Sequence, residues 1–327
     1  MPAFVAQRPG TDAAAHAPAS ARRGDQDFGP LAPLVADPRV TDVFLNGPGE
    51  AWLDRGSGLE RLPPLGLSEA ELRELAVRLV SLGGRHVDEA TPCVDTRLAD
   101  GIRVHAVLPP ISPRGTLLSI RLPREQRFSL ADLDLAGFFH RVPLRAVVEL
   151  VETRQNLLIT GAGGSGKTTL LSALLGAAAP TERIVAIEDV AELGVAHPHF
   201  VTLEARQANL EGAGGLDLAR LLREALRMRP DRLVLGECRG AEIRELLGAL
   251  NTGHDGGAGT LHANSLADVP ARLEALGALA GLTPEAVARQ AVSAIGAVLH
   301  VERVDGRRRL AQLGSFALDD AGRLGIA

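Results

Sequence analysis

The chain is poor in the residues on which several protein classes depend. Aromatic side chains make up 3% of its 327 residues, with one tryptophan, eight phenylalanines and no tyrosine. Platforms on which unpaired bases could stack are therefore scarce. Two cysteines, Cys93 and Cys238, stand far apart and match no metal spacing. That pattern excludes a disulfide framework and fits a reducing cytosol. No uninterrupted apolar run approaches the ~18 residues of a membrane span. The N-terminus lacks the basic start and apolar stretch of a secretory signal. A net charge of −5 leaves no overall basic surface for nucleic acid. Scarcest of all is lysine: of 35 basic residues, 34 are arginine and one, Lys167, is lysine. Solvated surface charge tolerates that exchange, whereas a site that needs a compact ammonium on a flexible stem does not.

What is present is an ordinary globular composition, 46% hydrophobic and 23% charged, at a length that fits two domains. Residues 1–30, rich in Ala, Pro and Gly, read as a disordered tail. Residues 31–125 read as a small α+β domain. Short strands at Val40–Asn46 and Ala51–Asp54 precede a helix opened by a Ser68/Glu71 capping box and stopped by Gly83-Gly84. A hairpin follows around Ala99-Asp100-Gly101, then a strand at Thr116–Leu122 and proline-rich punctuation. From residue 126 to 327 strands and helices alternate. This predicts an α/β domain with a mainly parallel sheet covered on both faces, closed by a hairpin around Asp305-Gly306.

The strand Asn156–Thr160 runs straight into Gly161-Ala162-Gly163-Gly164-Ser165-Gly166-Lys167-Thr168-Thr169, and a helix begins at Lys167. This is the phosphate-loop pattern in the context it requires. Glycines let backbone N–H groups approach phosphate oxygens, and the helix N-terminus adds positive partial charge. Lys167 reaches the β- and γ-phosphates and the Thr168 hydroxyl is placed to ligate Mg²⁺. Two hydrophobic strands end in carboxylates, Ile184–Asp189 with Glu188 and Leu233–Glu237 with Glu237. In an open α/β sheet the site lies at the carboxyl ends of the strands. Glu188 and Glu237 should therefore converge there, one polarising the attacking water and one holding Mg²⁺ through its waters. His254 and His262 lie in a glycine-rich junction of residues 251–265. They have no cysteine companions and no zinc spacing, and they suit a γ-phosphate sensor better than a metal site.

Taken together, these segments resemble the secretion traffic ATPases of type II and type IV secretion, type IV pili and the Tad/Flp pilus. The resemblance runs from about Asp42 to the end. It covers the phosphate loop, Ile187–Leu193 as the Asp box and Arg206 with Asn209–Gly212. It continues through Ala225–Gly240, with Gly236-Glu237 as Walker B, and Asn251–Ser265 as the His box. LRMRPDR and NTGHDG look most like the Tad and type IV secretion branch. The resemblance implies a RecA-like motor domain behind a PAS-like N-terminal domain, and a cytoplasmic homohexamer that binds ATP and Mg²⁺. It also implies a site completed by neighbouring subunits, beneath an inner-membrane platform protein. Glu188 takes the role of the Asp-box catalytic acid, Glu237 that of the Walker B glutamate, and His254 and His262 those of the His box. Arg103 and Arg121, with Arg97 behind them, are candidates for the N-terminal arginines that touch phosphate in this family. The strand before Glu237 carries no aspartate, and the four-cysteine zinc module of type II secretion ATPases is missing.

Two other readings share the phosphate loop. A nucleic-acid translocase would use Arg220, Arg223 and Arg227, which lie near one helix face, yet the net negative charge favours solvated or interface roles for them. A nucleotide-gated scaffold without catalysis would not need Lys167, Glu188 and Glu237 together.

Overall fold

A computed structural model describes residues 25–56, 58–98, 101–123, 127–206 and 214–327. Most of the expected tail, Ala99-Asp100 of the hairpin turn and the segment Asn209–Gly212 lie outside those residues. The chain divides into two compact units, Met1–Pro123 and Arg124–Ala327.

The first unit is a six-stranded antiparallel sheet with helices on one face. Its elements are α1 (Ala32–Ala36), β1 (Asp42–Asn46), β2 (Ala51–Asp54), β3 (Leu59–Arg61), α2 (Glu69–Leu82), β4 (Cys93–Arg97), β5 (Arg103–Val107) and β6 (Leu117–Arg121), and the strand order is β3-β2-β1-β6-β5-β4. Period-2 alternation decides which face is buried. Val43, Leu45, Val94, Val104, Ala106, Leu118 and Ile120 join Leu72, Leu75, Leu79 and Val80 of α2 in one core. α2 begins with the reciprocal Ser68/Glu71 capping box and stops at Gly83. Such a cap contributes about 1 kcal/mol.

The second unit is layered. Helices α3 (Leu130–Leu135) and α4 (Leu144–Glu152) lead to β7 (Leu157–Gly161) and α5 (Lys167–Gly176). Then come β8 (Ile184–Glu188), β9 (Phe200–Glu204), α6 (Leu218–Ala225), β10 (Arg232–Cys238), α7 (Ile243–Leu250) and β11 (Ala258–His262). α8 (Val269–Leu279), α9 (Pro284–Ala294), β12 (Ala297–Val304), β13 (Arg307–Gly314), β14 (Phe316–Leu318) and β15 (Leu324–Ile326) complete it. The main sheet has the order β13-β12-β7-β11-β10-β8-β9. It is parallel except for β13, which returns antiparallel on β12.

Both faces are covered, so the central strands read as unbroken hydrophobic runs. Leu157, Ile159, Ile184, Ala186 and Val234 face α3, α4 and α5. Leu158, Val185, Ile187, Leu233 and Leu235 face α6 to α9. At the amino-terminal edge of this sheet two polar residues join distant segments. The Asn156 side chain donates to the carbonyls of Leu250 (3.3 Å) and Ala294 (2.8 Å) and accepts from Gly257 N (2.9 Å). The buried Arg232 pairs with Glu182 and donates to the carbonyls of Val151 (2.9 Å) and Gly256 (3.3 Å).

Two helices of the second unit begin only after a tight turn. α7 starts at Ile243 because the Glu242 carboxylate accepts from the backbone N–H groups of Arg239 and Gly240 and holds a turn there. α8 starts at Val269, after a turn in which Ser265 accepts from Asp268 N. Among the described residues no helix is long and apolar enough to cross a membrane.

Candidate functional site

The site forms where β7 ends. All five residues of β7 are buried, and the chain leaves the sheet at Gly161 with φ 149°. A methyl group on Gly161 would collide with the Val301 carbonyl and crowd Ser165 Oγ, so only glycine lets the loop leave here. Gly164 (φ 68°) and Gly166 (φ 106°) take left-handed conformations, and Gly166 is the N-cap of α5. Ala162, Gly163 and Gly164 are exposed, whereas Thr168 and Thr169 are half-buried in the first helical turn. Lys167 folds back over the loop, and its Nζ donates to the carbonyls of Gly161 (2.9 Å) and Ala162 (3.0 Å). Burial pulls its ammonium below the ordinary lysine range; the Glu237 carboxylate opposes that shift and the Arg239 guanidinium adds to it. Ser165 Oγ is buried with no hydrogen-bond partner among the described residues.

The two carboxylates stand on the same edge. Glu188, 4% exposed, closes β8, and its Oε1 accepts from the backbone N–H groups of Glu192 (2.8 Å) and Leu193 (3.0 Å). These bonds fold the segment after β8 around the carboxylate. β10 pairs with β8 through Leu235↔Ile187, and its register with β11 shifts between Leu235 and Cys238. The irregularity falls on Gly236-Glu237 and re-aims the glutamate, as bulges beside functional sites do. Arg239 grips Glu237, with Nε at 2.7 Å and Nη2 at 2.6 Å from Oε2, and its Nη1 lies 3.7 Å from Asp189 Oδ2. Thr260 Oγ1 donates to the Gly236 carbonyl (2.7 Å) and ties this turn to β11.

Gly236 has a specific reason to be glycine, since a methyl group there would stand 2.8 Å from Glu188 Cγ. Gly236→Ala is therefore expected to push Glu188 off its backbone donors. A cost of ~1–3 kcal/mol from overpacking should accompany a fall in turnover. Thermal melting and steady-state kinetics check this, and wild-type values in both would refute it.

The structure brings some of the expected residues together and separates others. Gly161–Thr169, Glu188 and Glu237 share the carboxyl edge. His262 closes β11 opposite Gly161, and its Cε1 lies 3.4 Å from where a Gly163 side chain would begin. His254 does not reach this edge. It precedes β11, whose five residues span about 16 Å, and it lies at the opposite edge, where its Nδ1 is 3.3 Å from the Ala249 carbonyl. The neighbouring Asp255 carbonyl accepts from Arg154 there (3.0 Å). The spacing of the two histidines concealed this, because a whole strand runs between them. Arg103 and Arg121 belong to the N-terminal unit, where they are directly paired across β5 and β6. Arg97 is opposite Arg103 and Asp42 opposite Arg121. This row lies on the sheet face away from α2, and Arg103 reaches Asp95 at 3.6 Å.

Three residues beside the loop escaped sequence reasoning. Arg239 was one arginine among 34. Arg308, on β13, donates through Nε to the Gly164 carbonyl (3.1 Å). His300, on β12, is 4% exposed, and its Nδ1 lies 2.9 Å from Thr160 Oγ1. Burial pushes the His300 imidazole below its ordinary range, against the opposing pull of Glu302 and the Asn264 backbone. The folded chain therefore resists protonation of His300 more than the unfolded chain, which takes the proton near pH 6.5. Its contribution is complete above that pH and is lost as the pH falls below it. Between about pH 7.5 and 5.5 the wild type is expected to lose more melting temperature than His300→Gln, measured at both pH values; equal losses would count against this account.

A glycine loop at a helix N-terminus, one buried ammonium and two carboxylates on the carboxyl edge of a parallel sheet form a site that can hold a polyphosphate beside proton-accepting groups. Comparison with known proteins gives the family. Residues 24–305 match the family described as "Type II/IV secretion system protein", and the chain belongs to that family. It is 49% identical over 292 residues to the Mycobacterium tuberculosis protein named "Putative conjugal transfer protein MT3759", covering 87% of this chain and 83% of the relative. It is 32% identical over 259 residues to "Protein VirB11" of Agrobacterium fabrum, covering 71% and 75%. Its fold matches the Legionella pneumophila ATPase DotB with a TM-score of 0.59 at 20% identity, over 90% of this chain and 81% of that one.

Proposed function

We propose that this chain is an ATP-hydrolysing motor of a secretion, conjugation or pilus machine. In this reading it works as a cytoplasmic homohexamer against an inner-membrane platform protein. The observation that carries the reading is the convergence of Lys167, Glu188 and Glu237 on one sheet edge, in a member of the type II/IV secretion family. The loop N–H groups and the α5 N-terminus bind the phosphates, and Lys167 exchanges its two carbonyl partners for phosphate oxygens. The Thr168 hydroxyl is a hard oxygen donor of the kind Mg²⁺ takes and would hold it beside the loop, with the Glu188 carboxylate acting on its waters. Bound there, Mg²⁺ would neutralise phosphate charge.

Water then attacks the γ-phosphorus, its proton passes to a carboxylate, and the bond to the bridging oxygen of ADP breaks. Glu237 suits the proton-accepting role. Its side chain is 29% exposed and is gripped by a side chain that can let go, whereas Glu188 is fixed by two backbone donors. His262 reports the γ-phosphate. Arg103 and Arg121 supply charge to the phosphates of the closed enzyme.

A second reading, movement of DNA, takes its support from the conjugal transfer names of relatives. Arg223 and Arg227 are less suited to bind a phosphate backbone than sequence alone implied, because they pair with Glu245 and Glu224. ATPase assays on purified protein, with its mass in solution measured and with DNA added or omitted, separate the readings. Turnover that needs a ring of subunits and ignores DNA supports the secretion motor, and strong stimulation by DNA supports the translocase. A chain that binds no nucleotide would refute both.

A further inference from the structure

The phosphate loop has a wall on each side. In the sheet order, β11, β10 and β8 lie on one side of β7 and carry His262, Glu237 and Glu188. On the other side lie β12 and β13. Asp305 (φ 50°) and Gly306 (φ 77°) turn this hairpin sharply, so its strands stay paired up to Val304↔Arg307. Arg308 is directly opposite Arg303. Arg308 also touches the loop itself. Its Nε donates to the Gly164 carbonyl at 3.1 Å, and its Cδ lies 3.1 Å from where a side chain on Gly166 would start. The guanidinium is thus pinned by its stem over the N-cap of α5, at the rim of the phosphate cradle.

We propose that Arg308 is a nucleotide-contacting residue that serves the nucleoside end of ATP. The proposal rests on the loop being the ATP site. Lys167 and the two acids mark the γ end on the β11 side of β7, so the α-phosphate and nucleoside leave the loop towards the hairpin. A planar guanidinium with five N–H donors can keep its hold on Gly164 while it meets phosphate oxygens. A contact at that end is equally strong before and during γ-phosphoryl transfer. It lowers the Kd for ATP and ADP alike and leaves the chemical step unchanged.

Arg308→Gln, which keeps most of the stem over Gly166 and removes the charge, tests this with Arg308→Lys beside it. Fluorescent ADP titration and ATP competition should show both Kd values raised by the same factor, about 10- to 100-fold for a lost charge-assisted bond. Turnover at saturating ATP should stay within about twofold, and Arg308→Lys should recover part of the affinity. Wild-type Kd values would overturn the inference. So would a drop in saturated turnover, which would make Arg308 a brace for the loop instead. Melting of the nucleotide-free variants confirms that they fold. If the wild type binds no ADP, or Lys167→Ala binds it normally, the reading of the loop fails. If both behave as expected and only the Arg308 variants match wild type, this inference alone fails.

Discussion

Lys167→Ala is expected to remove nucleotide binding and turnover together while leaving the fold intact. The ammonium is the only lysine charge in the chain, and it lies inside the loop between two carbonyls. Its loss removes charge-assisted bonds of ~1.5–3 kcal/mol each from a dehydrated phosphate site. ATP affinity should therefore fall at least about 100-fold. Lys167→Arg is expected to fail almost as badly, because a planar fork does not fit between Gly161 and Ala162 as a point charge does. Fluorescent ADP titration reads the affinity, and circular dichroism checks that the fold survives. A Lys167→Ala protein that hydrolyses ATP at the wild-type rate would remove the basis for placing the phosphates here.

The second large effect belongs to Glu237. Glu237→Gln keeps an acceptor for Arg239 and nearly the same volume but cannot take a proton. ADP binding should persist while kcat falls by about 10²–10⁴, the usual worth of general-base assistance. Lys167→Ala loses affinity, whereas Glu237→Gln is expected to lose rate, and titration against single-turnover kinetics separates the two. Should Glu188→Gln abolish turnover and Glu237→Gln retain it, the two carboxylates exchange roles.

The parts legible in the sequence are those that local chemistry specifies. The capping box at Ser68/Glu71, the Asp305-Gly306 hairpin and the glycine loop before Lys167 each write their geometry into neighbouring residues. The buried strands β7, β8 and β10 announce themselves as hydrophobic runs because both sheet faces are covered. Strand β9 was missed, since it is short and only half-buried. So were α3 and α4, whose brief apolar patterns sit among prolines and glycines. Partners distant in sequence were invisible for a different reason. Gly164 and Arg308 are 144 positions apart, and nothing local in one points to the other. His254 shows the converse error, in which closeness in sequence was taken for closeness in space.

The amino-terminal edge of the large sheet has a mechanical consequence. Arg232 and Asn156 there join segments from α4, α7, α9 and the turn before β11 through buried polar bonds. The phosphate edge is held instead by groups that can change partners, Lys167 on its carbonyls and Arg239 on Glu237. The amino ends of β7 and β10 are thus riveted, while Lys167 and Arg239 at the other end can change partners. In the proposed motor, a displacement that begins at the γ-phosphate is expected to pass on as movement of a stiff plate, with little of it lost as flexing within the plate.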